Sequence, residues 1–287
     1  MRTIDAVYDA PPAHWVGDGF KVRSLLTYSA QGAAISPFLL LDHAAEQAFP
    51  PAKTPRGVGA HPHRGFETVT IVYAGEVEHR DSAGHRGRIG VGDAQWMTAG
   101  SGVLHDEFHS QDFTRRGGAL EMAQLWVNLP TRAKMTAPAY QTLRDADIPR
   151  VELADGAGVL RVLAGRFGAA QGPARTATPL DVWDVRLNAG GTATLAPPQG
   201  HNFLVALLKG AVRIGERRLS AGQTATFARG GGDVAVVAEA DSALLALGGE
   251  PIDEPVVMRG PFVMNTAEEI RNAVADFSAG RFGALAS

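Results

Sequence analysis

Short apolar runs separated by turn residues dominate the sequence. Stretches such as FETVTIVYAG, GALEMAQLWVNL, LDVWDVRL and HNFLVALLKG are rich in β-branched and aromatic residues, and Gly, Asp or Pro punctuates them. The chain has 34 Gly to supply turns, and its apolar positions seldom recur at helical spacing. The pattern predicts an all-β fold, a sandwich or barrel, rather than an α/β fold.

One helix is predicted, near the carboxyl end of the chain. Thr266 and Glu269 have the spacing of a capping box, and Gly280 can end a helix that begins there. The apolar residues between them fall on one helical face: Ile270, Val274 and Phe277. We expect this helix to dock on a sheet.

The two halves of the chain resemble each other. A strand-like run that ends at Gly75 is followed by EVEHRD and IGVGDAQWMTAGSG, and a run that ends at Gly210 is followed by AVRIGERR and LSAGQTATFARGGG. In this comparison His201 corresponds to His61, whereas Phe203 corresponds to His63. The pattern predicts a duplicated β unit whose second copy has lost its metal ligands.

The predicted domain boundaries follow from this repeat. An amino-terminal domain with the metal site is expected at residues 1–130, and a degenerate second domain with the terminal helix at residues 157–287. The stretch 131–156 is rich in Pro, Ala, Thr and charge, which is typical of a connector.

Composition excludes several classes of function and site. The chain has no Cys, so nitrogen and oxygen must hold any metal. A net charge of −3 with acids and bases intermixed gives no basic stripe, so direct binding of nucleic acid is not expected. No run reaches transmembrane length, and the first residues lack the apolar core of a signal peptide. We expect a cytoplasmic protein that does not bind membranes.

Two H-x-[H/E] pairs are the candidate metal ligands. His61 and His63 project on the same side of an extended chain, and His105 and Glu107 repeat this spacing on a second predicted strand. Three imidazoles and a carboxylate leave open positions on Fe(II), Mn(II), Ni(II) or Cu(II). Glu67 shares the face of His63, so the residues alone leave the choice of carboxylate open.

Other polar and aromatic residues have more than one interpretation. Gln124 interrupts an otherwise apolar strand, so it either lines a pocket or is a hydrogen-bonded amide of the core. Trp96 and Met97, like Met122 and Trp126, could wall an apolar pocket or could belong to the core. The remaining histidines are expected to be capped or solvated side chains: His14, His43, His79, His85, His109 and His201.

Four blocks of the sequence resemble signatures of the pirin family in the cupin superfamily: HPHRGFETV, GDAQWMTAGSGVLHDE, LWVNLP and RGPFVMNTAEEI. The resemblance spans nearly the whole chain. It implies two antiparallel, jelly-roll-like β-barrel domains packed face to face, with one metal in the first barrel and none in the second. It also implies the ligand set His61, His63, His105 and Glu107, which makes Glu67 a neighbour of the site or a structural residue.

The resemblance further implies an activity. Pirin relatives suggest a metal-dependent dioxygenase of the quercetin 2,3-dioxygenase type, which would use dioxygen to cleave a small flavonol-like aromatic substrate and release carbon monoxide. One divalent metal is expected, with Fe(II) preferred over Mn, Ni, Cu, Co and Zn. Coordination would acidify the flavonol 3-hydroxyl, and Glu107, or Glu67 from further away, would take its proton.

The family resemblance leaves a second function open. Some pirin relatives imply a non-enzymatic regulator that senses the redox state of the metal and acts through a protein partner. In either case we expect the chain to be a monomer.

Overall fold

The computed structural model describes residues 1–285, and antiparallel strands make up most of them. The first thirteen strands are β1 (Ile4–Asp9), β2 (His14–Val16), β3 (Phe20–Thr27), β4 (Phe38–Phe49), β5 (Gly57–His63), β6 (Phe66–Ala74), β7 (Val77–Asp81), β8 (Arg86–Ile89), β9 (Ala94–Thr98), β10 (Val103–His109), β11 (Gly118–Asn128), β12 (Ala139–Leu143) and β13 (Arg150–Glu152). The others are β14 (Gly158–Ala164), β15 (Arg166–Phe167), β16 (Ala170–Gln171), β17 (Leu180–Leu187), β18 (Thr192–Leu195), β19 (Asn202–Lys209), β20 (Ala211–Ile214), β21 (Arg217–Ser220), β22 (Gln223–Phe227), β23 (Val234–Ala238), β24 (Ser242–Gly249), β25 (Val257–Arg259) and β26 (Phe262–Met264). The predicted all-β class is confirmed.

The chain divides into two compact units, and neither unit is one continuous segment. Unit 1 comprises residues 1–12, 23–39 and 146–251, and unit 2 comprises residues 13–22, 40–145 and 252–287. These bounds differ from the predicted 1–130 and 157–287, whose last two residues lie outside the described part of the chain. Each end of the chain pairs with distant residues, since β1 pairs with β22 and Phe262 of β26 bridges to Arg64.

The stretch 131–156, which the sequence predicts to be the connector, has secondary structure of its own. It contains β12, which pairs with β9, and β13, which pairs with β14. The division between the two units falls inside it, after Asp145.

Unit 2 contains a seven-stranded and a four-stranded sheet. Their strand orders are β12-β9-β6-β11-β4-β3-β2 and β5-β10-β7-β8. Side chains from both sheets form one apolar cluster, which includes Phe20, Val22, Val72, Val77, Ile89, Leu120 and Met122. Because the cluster draws on both sheets, the two sheets enclose a common core.

Unit 1 repeats this architecture. Its sheets have the orders β1-β22-β19-β24-β17-β14-β13 and β18-β23-β20-β21, and one apolar cluster again draws on both, with members that include Leu160, Trp183, Phe203, Phe227, Val212 and Val236. The matching strand numbers and orders show the internal repeat that the sequence predicted.

The repeat corrects one detail of the sequence comparison. In the four-stranded sheets, β18 occupies the place of β5, which carries His61 and His63, and β19 is the counterpart of β6. His201 immediately precedes β19 and Phe203 lies within it, so the predicted correspondences of His201 with His61 and of Phe203 with His63 are both wrong. The shared histidine suggested an equivalence that the strand pairing does not support, because only the pairing shows which segments of the two units correspond.

The predicted terminal helix is present as α3 (Ala267–Ser278), the third helix after α1 (Tyr28–Gln31) and α2 (Gln111–Arg116). Thr266 and Glu269 form both hydrogen bonds of the capping box. Ile270 and Ala273 form its buried side, whereas two apolar residues of the predicted face are partly exposed: Val274 and Phe277. Within residues 1–285, no helix has the length and apolar character needed to cross a bilayer.

Candidate metal centre

Three neighbouring strands of the four-stranded sheet in unit 2 carry the candidate ligands. Strand β10 lies between β5 and β7, and its register places His105 opposite His61 on one side and Asp81 on the other. Glu107 lies opposite His79 of β7. A register shift between His105 and Glu107 interrupts the pairing of β10 with β5. The strand order therefore gathers ionisable side chains from three separate segments.

The three predicted imidazoles meet. The ring centroids of His61 and His63 are 4.9 Å apart, those of His61 and His105 are 4.2 Å apart, and those of His63 and His105 are 4.8 Å apart. One ring nitrogen of each lies within 4.8 Å of the others. His63 and His105 are buried, and His61 is partly exposed. A single ion placed among them could contact all three rings.

The hydrogen bonds of these rings leave one nitrogen of each available. Nδ1 of His61 lies 2.8 Å from the carbonyl oxygen of Gly59, and Nδ1 of His63 lies 3.4 Å from that of Pro261. A carbonyl oxygen only accepts, so both rings carry their proton on Nδ1 and have a lone pair on Nε2. Nε2 of His105 is buried and has no hydrogen-bond partner among the described residues.

Burial keeps two of the imidazoles in the form that binds metals. Desolvation lowers the pKa of His63 to about 3, with a further contribution from the charge of His61. Desolvation likewise lowers the pKa of His105 well below its usual value, and the neighbouring histidines add to the effect. Neutral imidazole is the ligating form, so an unpaired, buried lone pair on His105 fits a divalent metal ion.

Glu107 is held by polar side chains from the facing seven-stranded sheet. Its Oε1 accepts from Nε2 of Gln95 at 2.6 Å and from the hydroxyl of Thr70 at 3.1 Å. Within residues 1–285, its Oε2 receives only a 3.4 Å contact from Nε2 of Gln124. Thr70, Gln95 and Gln124 are register partners on β6, β9 and β11. These three side chains orient the carboxylate of Glu107, and they leave Oε2 with weaker hydrogen bonding than Oε1.

A second group of candidate ligands shares His105. It consists of His79, His105 and Glu107, whose ligand atoms also lie within 4.8 Å of one another, and all three residues are buried. The sequence predicted His79 to be a solvated or capped turn residue, but its side chain is fully buried. The sequence does place His79 and Asp81 on the same face of a strand, which could have suggested that both are buried. It does not show that this strand pairs with β10, because that pairing joins distant segments.

Glu67 belongs to neither group of candidate ligands among the described residues. It is buried on β6, where Oε1 accepts a 2.7 Å hydrogen bond from the hydroxyl of Thr98. Desolvation raises the pKa of Glu67, although the hydrogen bond from Thr98 opposes the shift. Burial thus favours the neutral acid, which is a poor metal ligand.

A cavity of about 290 Å³ adjoins the candidate ligands. Its polar lining includes His61, His63, Glu107 and Gln124. Its remaining wall is mainly apolar: Val16, Phe20, Val22, Leu40, Val58, Met122 and Trp126, together with Asp42. Its size lies at the lower end of the range for small-molecule sites, and an apolar wall with a few convergent polar groups is typical of them.

The cavity wall differs in part from the expected one. Trp96 and Met97 are fully buried and are not among its lining residues, and Met97 packs on Ala99 and Val103 instead. Residues 16, 20 and 22 of the amino-terminal arm supply part of the wall. The alternation of FKV in β3 places residues 20 and 22 on one face, but the sequence does not show which face meets the site.

Comparison with known proteins identifies the family. The Pirin family model matches residues 19–127, and the model of the Pirin C-terminal cupin domain matches residues 182–283. The chain belongs to the pirin family. This confirms the predicted family and its two cupin domains.

Relatives of this pirin match it over nearly their full length. It is 56% identical over 282 residues to a Pseudomonas aeruginosa protein named "Putative quercetin 2,3-dioxygenase PA2418", covering 98% of this chain and 99% of the relative. It is 39% identical over 269 residues to a pirin-like protein of Caulobacter vibrioides, covering 93% and 94%. A crystal structure of quercetin 2,3-dioxygenase from Acinetobacter baumannii superposes with a TM-score of 0.97 at 49% identity, covering 99% of both chains.

Proposed function

We propose that this pirin is a metal-dependent dioxygenase of the quercetin 2,3-dioxygenase type, which acts on flavonol-like aromatic compounds with dioxygen. The observation that carries the proposal is the unpartnered Nε2 of His105, buried among three imidazoles beside a largely apolar cavity. The names of the Pseudomonas aeruginosa and Acinetobacter baumannii proteins support the same substrate class.

The residues that would hold the ion are His61, His63 and His105 through Nε2, and Glu107 through Oε2. Three neutral nitrogens and one carboxylate suit Fe(II), which we propose as the native ion, and also suit Mn, Ni, Cu, Co and Zn. Bound there, the ion would act as a Lewis acid toward a substrate hydroxyl and supply a centre for dioxygen chemistry.

The side chains around the ion would bind the substrate and move one proton. The apolar wall receives the flat rings and excludes water, and Trp126, 5.4 Å from the ring of His63, brings an aromatic surface next to the ligands. Glu107 would accept the proton of the flavonol hydroxyl on Oε2, for which the only donor among the described residues is Nε2 of Gln124, at 3.4 Å, and Oε2 would have to give up its bond to the ion to do so. Gln95, which donates to Oε1 at 2.6 Å, keeps the carboxylate in place during this transfer.

The test combines metal loading with turnover on one preparation. Metal-free protein is loaded anaerobically with each candidate ion in turn, the bound metal is quantified, and quercetin and air are added while quercetin loss and carbon monoxide are measured. We expect one ion per chain and carbon monoxide release with at least one metal. His105→Ala should lose both, whereas His14→Ala, which removes an exposed histidine, should retain both.

Two results would contradict the proposal in different ways. If the wild-type protein binds no ion, the ligand assignment fails. If it binds one ion but none of the metal-loaded forms consumes quercetin or another flavonol, the dioxygenase assignment fails and the metal-sensing regulator takes its place.

A further inference from the structure

A line of buried side chains leads away from His105. Nδ1 of His105 lies 3.4 Å from Nδ1 of His79, and Nε2 of His79 lies 3.3 Å from Oδ2 of Asp81. The side chains of His79 and Asp81 are 0% and 1% exposed, and His105 is 1% exposed. Because water has almost no access to this line, the three groups must satisfy one another.

The acceptor at the end of the line fixes every proton along it. The Asp81 carboxylate only accepts, so His79 carries a proton on Nε2. With that proton in place, Nδ1 of neutral His79 has a lone pair and accepts from Nδ1 of His105. His105 is then left with an unprotonated Nε2, the atom that has no hydrogen-bond partner among residues 1–285.

The opposite arrangement is unfavourable. If Nδ1 of His79 donated to His105, the proton of neutral His105 would have to sit on Nε2. That N–H would be buried next to the rings of His61 and His63, with no acceptor within hydrogen-bonding distance among the described residues. Leaving a buried donor unsatisfied is unfavourable, so the arrangement with the proton on Nδ1 is favoured.

The carboxylate of Asp81 and the ring of His79 are themselves held in place by neighbouring groups. Oδ1 of Asp81 accepts from the backbone N–H groups of Ala83 and His85 at 2.9 and 3.0 Å in the turn after β7. Burial acts to raise the pKa of Asp81, but hydrogen bonds from His79 and His85 outweigh it and hold the pKa below its usual value. The ring of Tyr140 stacks on that of His79, with centroids 4.8 Å apart and planes 17° apart.

We propose that Asp81 and His79 are positioning residues that hold His105 with its proton on Nδ1, so that the lone pair of Nε2 faces the metal. A carboxylate that orients a ligating histidine directly is a common arrangement, and here a second histidine extends it. The inference rests on the proposed function only in taking His105 as a metal ligand, since the tautomer itself exists without metal.

The first test measures the tautomer in the metal-free protein. Long-range ¹H–¹⁵N spectra of histidine-labelled protein distinguish a protonated ring nitrogen from an unprotonated one. We expect Nδ1 of His105 to be protonated and Nε2 to be unprotonated in the wild type. In His79→Phe, which retains an aromatic ring against Tyr140 but has no acceptor, the two tautomers should mix. A wild-type His105 with its proton on Nε2 would overturn the proposal, whether or not any variant folds.

The second test measures metal affinity. By the usual effect of residues that orient a ligand, His79→Phe and Asp81→Asn should raise the dissociation constant for Fe(II) by about 10 to 100-fold. His14→Phe is the control, because it makes the same substitution at an exposed histidine that belongs to neither group of candidate ligands. Its affinity should stay close to that of the wild type.

The outcomes separate the two proposals. If the wild type binds metal and His79→Phe binds it equally well, the positioning role is overturned while the dioxygenase proposal stands. If the wild type binds no metal, the ligand assignment fails, and the spectra still decide the tautomer. If the wild type binds two ions and His79→Phe binds one, His79 is itself a ligand, with His105 and Glu107, and the positioning role is overturned.

Discussion

His61 and His105 face each other across the antiparallel pair β5 and β10, and their ring centroids lie 4.2 Å apart. Successive side chains of a strand alternate between faces, so a one-residue slip in this pairing would move one ring to the opposite face. The site therefore depends on the register of two strands that are distant in sequence. We expect this register to form without metal, because the apolar core of unit 2 supports both sheets.

The first prediction concerns the three imidazoles. Replacing His61, His63 or His105 by Ala should each abolish stoichiometric metal binding while leaving a folded β protein, because the core rather than the ion stabilises the sheets. Circular dichroism and metal quantification measure the two effects separately. A variant that keeps the wild-type metal content would show that its histidine is not a ligand, and unfolding of all three variants would make the site structural.

The period of a strand explains why the clustering of these side chains was predictable. The H-x-H and H-x-E spacings place His61 with His63, and His105 with Glu107, on common faces without knowledge of the partner strand. The capping box of α3 is equally local, and its prediction is confirmed. Features that depend on residues a few positions apart could thus be predicted from the sequence alone.

Long-range pairing explains what the sequence did not reveal. His79 was expected to be a capped or solvated side chain, but β7 pairs with β10 and buries it behind His105. The first strand, β1, pairs with β22, which moves residues 1–12 out of the predicted amino-terminal domain. The sequence also did not reveal that the amino-terminal arm contributes to the cavity wall. Like the two strand pairings, this contact joins distant segments and has no signature in the local sequence.

The second prediction separates the two carboxylates. Glu107→Gln should weaken metal binding strongly and change the spectrum of the bound ion, because it removes a charged ligand. Glu67→Gln should have a much smaller effect, since Glu67 is held by Thr98 and burial favours its neutral form. Metal titrations of the two matched variants measure the difference. If Glu67→Gln lost the metal while Glu107→Gln kept it, Glu67 would have to replace Glu107 in the ligand set.

The third prediction concerns a buried ammonium group that joins distant segments of unit 2. Nζ of Lys134 donates to the carbonyl oxygens of Gly65 and Val263 at 2.9 and 3.0 Å, and to Oδ1 of Asn128 at 2.8 Å. Lys134→Met would leave these three acceptors without their donor, and we expect a loss of about 2–4 kcal/mol in the free energy of unfolding. Denaturant titration measures it, with the exposed Lys53→Met as control. Equal midpoints for the two variants would contradict the prediction.

The fourth prediction is a pH dependence of stability in unit 1. Oδ1 of Asp181 accepts from the backbone N–H of Arg166 at 2.9 Å, while Oδ2 is buried without a partner among the described residues. Desolvation raises the pKa of Asp181 to about 6 from the model-compound value of 3.8. The folded state therefore binds the proton more tightly than the unfolded state, and stability is lost as the pH rises through this interval.

Asp181→Asn should remove that loss. At pH 7 the variant should be more stable than the wild type by up to about 2–3 kcal/mol, and the difference should shrink below pH 4. Denaturant titrations at the two pH values measure it, and the exposed Asp253→Asn serves as control. A variant that is less stable than the wild type at pH 7 would show that ionised Asp181 is stabilised by groups other than Arg166.

The last prediction separates substrate binding from metal binding. Val16 lines the cavity from β2 and packs against the core while remaining only partly buried, so the space open to a larger side chain at this position is the cavity. Val16→Trp should fill part of the space that receives the substrate rings and raise KM for quercetin about tenfold or more, while the metal content stays at the wild-type value. Lys21→Trp adds the same side chain at an exposed position of the neighbouring strand β3 and should leave KM unchanged. If both variants kept the wild-type KM while binding a full complement of metal, the flavonol would have to bind outside this cavity, and the proposed roles of Trp126 and the apolar wall would be wrong.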